Sequence, residues 1–133
     1  MKQKFSLYLI GILLLIFLTA CAPSSTTVQS DTIPAEYAGL SNPLGSEAAV
    51  AGKEVFQSHC ALCHGKAGKG DGVAGQSLEP KPKNLADLQG NVADDYLFWR
   101  IQTGKPGTAM VAWKGILSAE ETWQLVSFIR TLH

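Results

Sequence analysis

Two thiols and an imidazole fall within five consecutive residues, Cys60-Ala61-Leu62-Cys63-His64, in a region with too few core-forming segments to fold on apolar content alone. Helical spacing is confined to three stretches. Ser46 is placed to cap a first helix, along which Ala48, Gly52, Val55, Phe56 and His59 share a side by i, i+3, i+4 spacing. Asp94 and Asp95 suit the start of a second helix, where negative charge complements the dipole. Leu97, Phe98 and Ile101 supply its buried stripe, and Gly104 followed by Pro106 ends it. Ser118-Ala119-Glu120-Glu121 has the pattern of a capping box before a third helix, whose apolar face is Leu125, Phe128, Ile129 and Leu132. There is no alternating strand pattern and no hairpin turn pair, so the expected fold class is all-α. Gly65 to roughly Asn91 and Lys105 to Leu117 lack periodicity altogether. Intervals of that length in a small domain need an organiser such as a metal, a disulfide or a cofactor.

The pentapeptide supplies one. C-x-x-C-H is the attachment sequence for c-type haem. Two thiols three positions apart on one helical turn can add to the two vinyl groups of a single porphyrin. The histidine beside the second thiol is then held beneath the ring, where its imidazole can bind the iron. Cys60 and Cys63 are thus the candidate cofactor-binding residues, His64 the candidate metal ligand, and one covalent haem c the cofactor. Two other uses of the cysteine pair fit less well. Structural zinc needs two more Cys or His, and the remaining His59 and His133 are not suitably spaced. A thioredoxin-like redox pair needs a βαβ pattern that is missing here. The run Gly65 to Gly75 contains a nominal G-x-G-x-x-G at Gly70, Gly72 and Gly75, but no strand precedes it. It reads instead as backbone turning tightly around the haem edge.

The N-terminus reads as an address. Lys2 and Lys4 precede an uncharged apolar run from Phe5 to Leu18, 14 residues long. A helix of that length rises about 21 Å, short of the roughly 30 Å hydrocarbon core, so the run suits a signal peptide better than a permanent span. Leu18-Thr19-Ala20-Cys21 resembles the bacterial lipoprotein signal box, which implies lipid attachment at Cys21. The expected division is a signal peptide at 1–20, a lipidated cysteine and flexible tether at 21–45, and a folded domain at 46–133. Ala22 to Pro34 holds six Ser/Thr residues and two prolines, a composition that cannot bury a core. Tyr37, Leu40, Asn42, Pro43 and Leu44 restore some apolar and turn character, and are expected to lie along the domain surface. Across the whole chain Lys+Arg 11 balances Asp+Glu 11; without Lys2 and Lys4, 9 basic against 11 acidic side chains leave a net charge of −2. Such a balance offers nothing to attract nucleic acid.

From Gly52 to His64 the chain resembles the N-terminal helix of class I (monohaem) cytochromes c, without a gap, and the likeness extends over roughly Ala48 to Leu132. In that family a glycine and an aromatic residue ahead of the haem motif pack against an aromatic of the C-terminal helix; Gly52 and Phe56 match the first two and Phe128 the third. The resemblance implies a small helical fold wrapped around the haem. It also implies that Met110, in the loop Gly104 to Trp113, is the sixth iron ligand, with His133 the weaker rival and His59 a poor one. Val111 follows this methionine where the family often has proline, which leaves the loop less rigid. Pro80 and Pro82 resemble the family's proline region after the haem motif, where a backbone carbonyl accepts the N–H of the proximal histidine. Trp99, Arg100 and Trp113 are candidates to enclose the ring or pair with a propionate.

The function expected from these residues is that of a lipid-anchored carrier of single electrons between membrane redox complexes, with His/Met-ligated haem and no substrate site, hence not itself an enzyme. Its expected partners are a quinol-oxidising respiratory or photosynthetic complex, of which alternative complex III is the example by resemblance, or a terminal oxidase. The expected location is the outer face of the cell membrane or the periplasmic side of an envelope membrane. Lys66, Lys69, Lys81, Lys83, Lys105 and Lys114 lie in loops expected to border the haem and form a weak docking patch. A haem enzyme or gas sensor with an open sixth position is the alternative.

Overall fold

Helical periodicity becomes helices where it was read, and two short helices form where it was not. The computed structural model describes residues 31–133. The expected signal segment and Cys21 lie outside the described residues. The elements are α1 (Ala48–His59), α2 (Ala61–His64), a 3-10 turn (Gly75–Ser77), α3 (Leu85–Gln89), α4 (Asp94–Thr103) and α5 (Ala119–Ile129). Among the described residues there is no strand, only an isolated bridge between Lys114 and Leu117, so the molecule is all-α. Nor is any helix among them long and apolar enough to cross a membrane.

The crossing of α1 and α5 is the centre of the fold. A Cβ built on Gly52 would lie 1.9 Å from the carbonyl oxygen of Gln124, so the two backbones approach as closely as glycine permits. One turn on, Phe56 is 1% exposed, with its ring centroid 5.1 Å from that of Phe128. The resemblance paired these same residues, and the geometry accounts for the pairing: the missing side chain lets the helices touch and the two rings fill the space beside the contact.

The helix starts differ in how they are satisfied. At α5 the capping box is complete, with Ser118 Oγ accepting from Glu121 N at 3.1 Å and Glu121 Oε2 accepting from Ser118 N at 2.8 Å. At α1 the expected cap by Ser46 does not form: the N-cap position is Glu47, in the helical region, with no side-chain cap. A capping side chain reaches back only from extended backbone. Here the chain is already turning, with Ala48 N bonded to Gly45 O and Ala49 N to Ser46 O, both at 3.1 Å. Asn84, unnoticed in the sequence, caps α3 by accepting from Ala86 N at 3.0 Å.

Asp94 and Asp95 do begin α4, and both are spent on tertiary contacts. Asp94 Oδ1 accepts from Arg130 Nε at 2.8 Å, while Arg130 also donates to the carbonyls of Gln89 and Val92. Asp95 Oδ2 accepts from Gly39 N at 2.8 Å. That bond belongs to a strap ahead of α1. The compact unit begins at Thr32, whereas the helices begin two residues after the expected boundary at Ser46. Within the strap, Asn42 Nδ2 donates to Trp123 O at 3.1 Å and Ser127 Oγ at 2.9 Å. Tyr37 is buried among core residues, its ring 6.3 Å from that of Phe98. The residues from Tyr37 to Leu44, expected along the surface, thus bury Tyr37 in the core and pack Leu44 against it.

Candidate functional site

The motif folds as a single tight turn off the end of α1. Cys60 N bonds to Phe56 O at 2.8 Å, His64 N to Cys60 O at 2.9 Å and Gly65 N to Ala61 O at 2.8 Å, and Gly65 then leaves the helix at φ 77°. Both thiols and the imidazole are therefore presented from one rigid corner. The glycine-rich run wraps the back of that corner: Gly70 N bonds to His64 O at 2.8 Å and Ala74 N to Leu62 O at 3.0 Å. A Cβ on Gly72 would stand 2.4 Å from Leu62 O, and one on Gly75 2.3 Å from Cys63 O. No residue from Gly65 to Ser77 borders a cavity of the site. Gly72 and Gly75 thus serve close approach to the motif's own backbone.

Two adjoining cavities, of about 200 and 90 Å³, open beside the turn and share Cys60, His64, Lys83, Ile101, Lys105 and Met110. Cys63 borders the larger one, with Pro80, Pro82 and Trp113 among its other walls. The smaller is walled by Leu88, Leu97, Leu125 and Ile129, residues that the periodicity placed in the core or passed over. Core stripe and cavity wall carry the same hydrophobic signal, so spacing alone does not tell them apart.

His64 carries the chemistry. Its Nδ1 is buried and makes no hydrogen bond. Burial pulls its pKa below the ordinary value, opposed more weakly by the backbone of Lys83, so the ring is neutral at pH 7 and has a lone pair to offer a metal. Pro80, Pro82 and Lys83 all border the larger cavity together with His64. Pro82 O lies against Gly70, where a Cβ would meet it at 2.4 Å. Burial, and secondarily Cys63, pushes the Cys60 thiol up to about 12, so it stays protonated at neutral pH.

Met110 reaches the same cavities from the other long loop. Gly104 ends α4 at φ 68°, and a Cβ there would sit 2.5 Å from Met110 O. Lys105 N then bonds to Met110 O at 2.9 Å, and Thr108 Oγ1 accepts from Met110 N at 3.2 Å, so the turn closes on itself with the methionine at its end. His133 is exposed, with Nδ1 3.0 Å from Thr131 O, and borders neither cavity. His59 borders the larger cavity, its ring edge-on to Trp113 at 5.3 Å. Trp99 borders neither; it carries the guanidinium of Arg100 at 3.8 Å, and Arg100 borders the smaller cavity. Of the six lysines, Lys81, Lys83 and Lys105 border the cavities, whereas Lys66, Lys69 and Lys114 do not.

These features fit a haem: two thiols and a buried, unpartnered, neutral imidazole on one turn, with mostly apolar walls and a thioether arriving from a distant loop. Cys60 and Cys63 would hold the macrocycle and His64 its iron, with cations at the rim for acidic substituents.

Residues 47–129 match the family described as cytochrome C oxidase, cbb3-type, subunit III. A chain of the reducing HAO-like protein complex of Kuenenia stuttgartiensis has a similar fold, with a TM-score of 0.59 and 23% sequence identity over 71% of this chain and 50% of that one. The present chain therefore spans half the length of that neighbour, and the likeness concerns fold alone. No curated protein matches the sequence.

Proposed function

Since the chain belongs to the family of cytochrome C oxidase, cbb3-type, subunit III, whose domain is a monohaem c-type cytochrome, and so is an electron-transfer protein with covalent haem c, we propose that it is a lipid-anchored carrier of single electrons between membrane redox complexes. The observation that carries this reading is the meeting of Cys60, Cys63, His64 and Met110 at one cavity, although Met110 lies on a separate loop. Bound haem c supplies one-electron Fe(II)/Fe(III) chemistry, and a His/Met pair raises its potential relative to His/His. With His64 and Met110 both holding the iron, no position would remain for a substrate, which is the arrangement of a carrier. Cys60 and Cys63, both half-buried at the larger cavity, would set the haem edge through which electrons pass.

The family description names an oxidase subunit, which favours a terminal oxidase as the partner over a quinol-oxidising complex. The anchor rests on Cys21 and the segment before it, and the location follows: the outer face of the cell membrane or the periplasmic side of an envelope membrane. Replacing Cys21 by alanine is expected to abolish incorporation of labelled fatty acid into the protein; a label kept in that variant would refute the lipid anchor. For the axial ligand, Met110→Leu is expected to abolish the weak sulfur-to-iron absorption at the red end of the ferric spectrum and to allow carbon monoxide to bind the ferrous protein. An unchanged band in that variant would remove Met110 from the iron.

A further inference from the structure

The arm that carries Met110 runs from Gly104 to Leu117 without helix or strand, so something outside it must set its register. Its outgoing half is the self-closed turn described above. Its returning half is held by α4: Trp113 N bonds to Ile101 O at 3.1 Å and Lys114 N to Gln102 O at 3.0 Å. Both acceptors lie in the last turn of α4, where a helix leaves its final carbonyls without intrahelical partners. Of the two, Gln102 is also held from the opposite direction. Its Nε2 donates to Thr122 Oγ1 at 2.7 Å, and Thr122 Oγ1 donates in turn to Ser118 O, at 2.9 Å, in the capping turn of α5. Gln102 is 7% exposed and Thr122 fully buried, so neither side chain has water to fall back on.

We propose that Gln102 is a positioning residue for Met110, its side chain fixed by Thr122 so that its carbonyl holds the returning arm in the register that brings the thioether to the haem iron. This rests on the His64/Met110 ligation proposed above. A displaced helix end would carry Lys114 and the arm with it, and the sulfur would then spend more time away from the metal.

The test is competition for the sixth position. Imidazole is titrated into the haem-loaded ferric protein, followed in the Soret band, alongside the red-end sulfur-to-iron band. Gln102→Leu and Thr122→Val, which break the link from either side, are each expected to tighten imidazole binding about tenfold, the scale of a buried partner left unsatisfied. The double variant is expected to bind no tighter than the singles, because both remove one link. Thr122→Ser, which keeps the hydroxyl, is expected to restore the parent affinity. Parent-like affinity in both Gln102→Leu and Thr122→Val, with Met110→Leu binding imidazole tightly, would overturn the positioning role and leave the ligation intact. So would multiplying effects in the double variant. If Met110→Leu itself keeps the parent's band and affinity, the ligation fails and the positioning role falls with it.

Discussion

A chain with both Cys60→Ala and Cys63→Ala is expected to lose covalent haem and, with it, a cooperative unfolding transition. The physical reason is the small amount of core that the polypeptide supplies by itself. Cavities of about 200 and 90 Å³ stand between α4, α5 and the two loops, walled mainly by apolar side chains. At roughly 24 cal/mol per Å³, leaving them empty costs up to about 7 kcal/mol, an upper bound because water enters at the mouth. The total stability of a domain is only about 5–15 kcal/mol, so the deficit is comparable to the whole. The buried, unpartnered Nδ1 of His64 adds to it. A haem-stained denaturing gel checks the first half of the expectation, and calorimetry the second. A haem-free double variant that unfolded cooperatively at the parent's temperature would show that the polypeptide supplies its own core.

Gly52→Val is expected to destabilise the haem-loaded protein by about 3 kcal/mol or more, the upper end of overpacking costs. The new Cβ would meet Gln124 O at 1.9 Å and Gln124 C at 2.4 Å, both main-chain atoms that no rotamer change can move. Relief requires α1 and α5 to separate, which strips contact from Phe56 and Phe128 as well. Even Gly52→Ala, which improves helix propensity by roughly 1 kcal/mol, is expected to lose on balance. Gly90→Ala is the control, because a Cβ there has nothing within 4 Å and the backbone φ is −73°. Denaturant midpoints at a common slope compare the three. Equal midpoints for Gly52→Ala and Gly90→Ala would mean that the crossing is not as tight as drawn.

The parts of the fold legible in the sequence are those whose cause is local. The α5 capping box was readable because donor and acceptor are three residues apart, and α4 because its stripe and its terminating glycine lie within one short span. The short α3 was missed: Gly90 cuts it after Gln89, and a single turn cannot display a period. Tyr37 was taken for a surface residue because a strap has no period either. Its burial depends on Asp95 and Asn42 holding the segment across α4 and α5, contacts separated by more than fifty residues in the chain.

By itself, the sequence determined the chemistry of attachment. Two thiols and an imidazole within five residues fit one helical turn, and with no further ligands spaced for zinc and no βαβ pattern that spacing points to haem. The tertiary structure decided how the rest of the chain reaches that turn. It set Met110 at the cavities of His64, on an arm held by the otherwise unused carbonyls at the end of α4. It also turned Gly72 and Gly75 toward the motif's own carbonyls. Those outcomes depend on backbone groups, which every residue carries alike and no sequence pattern marks.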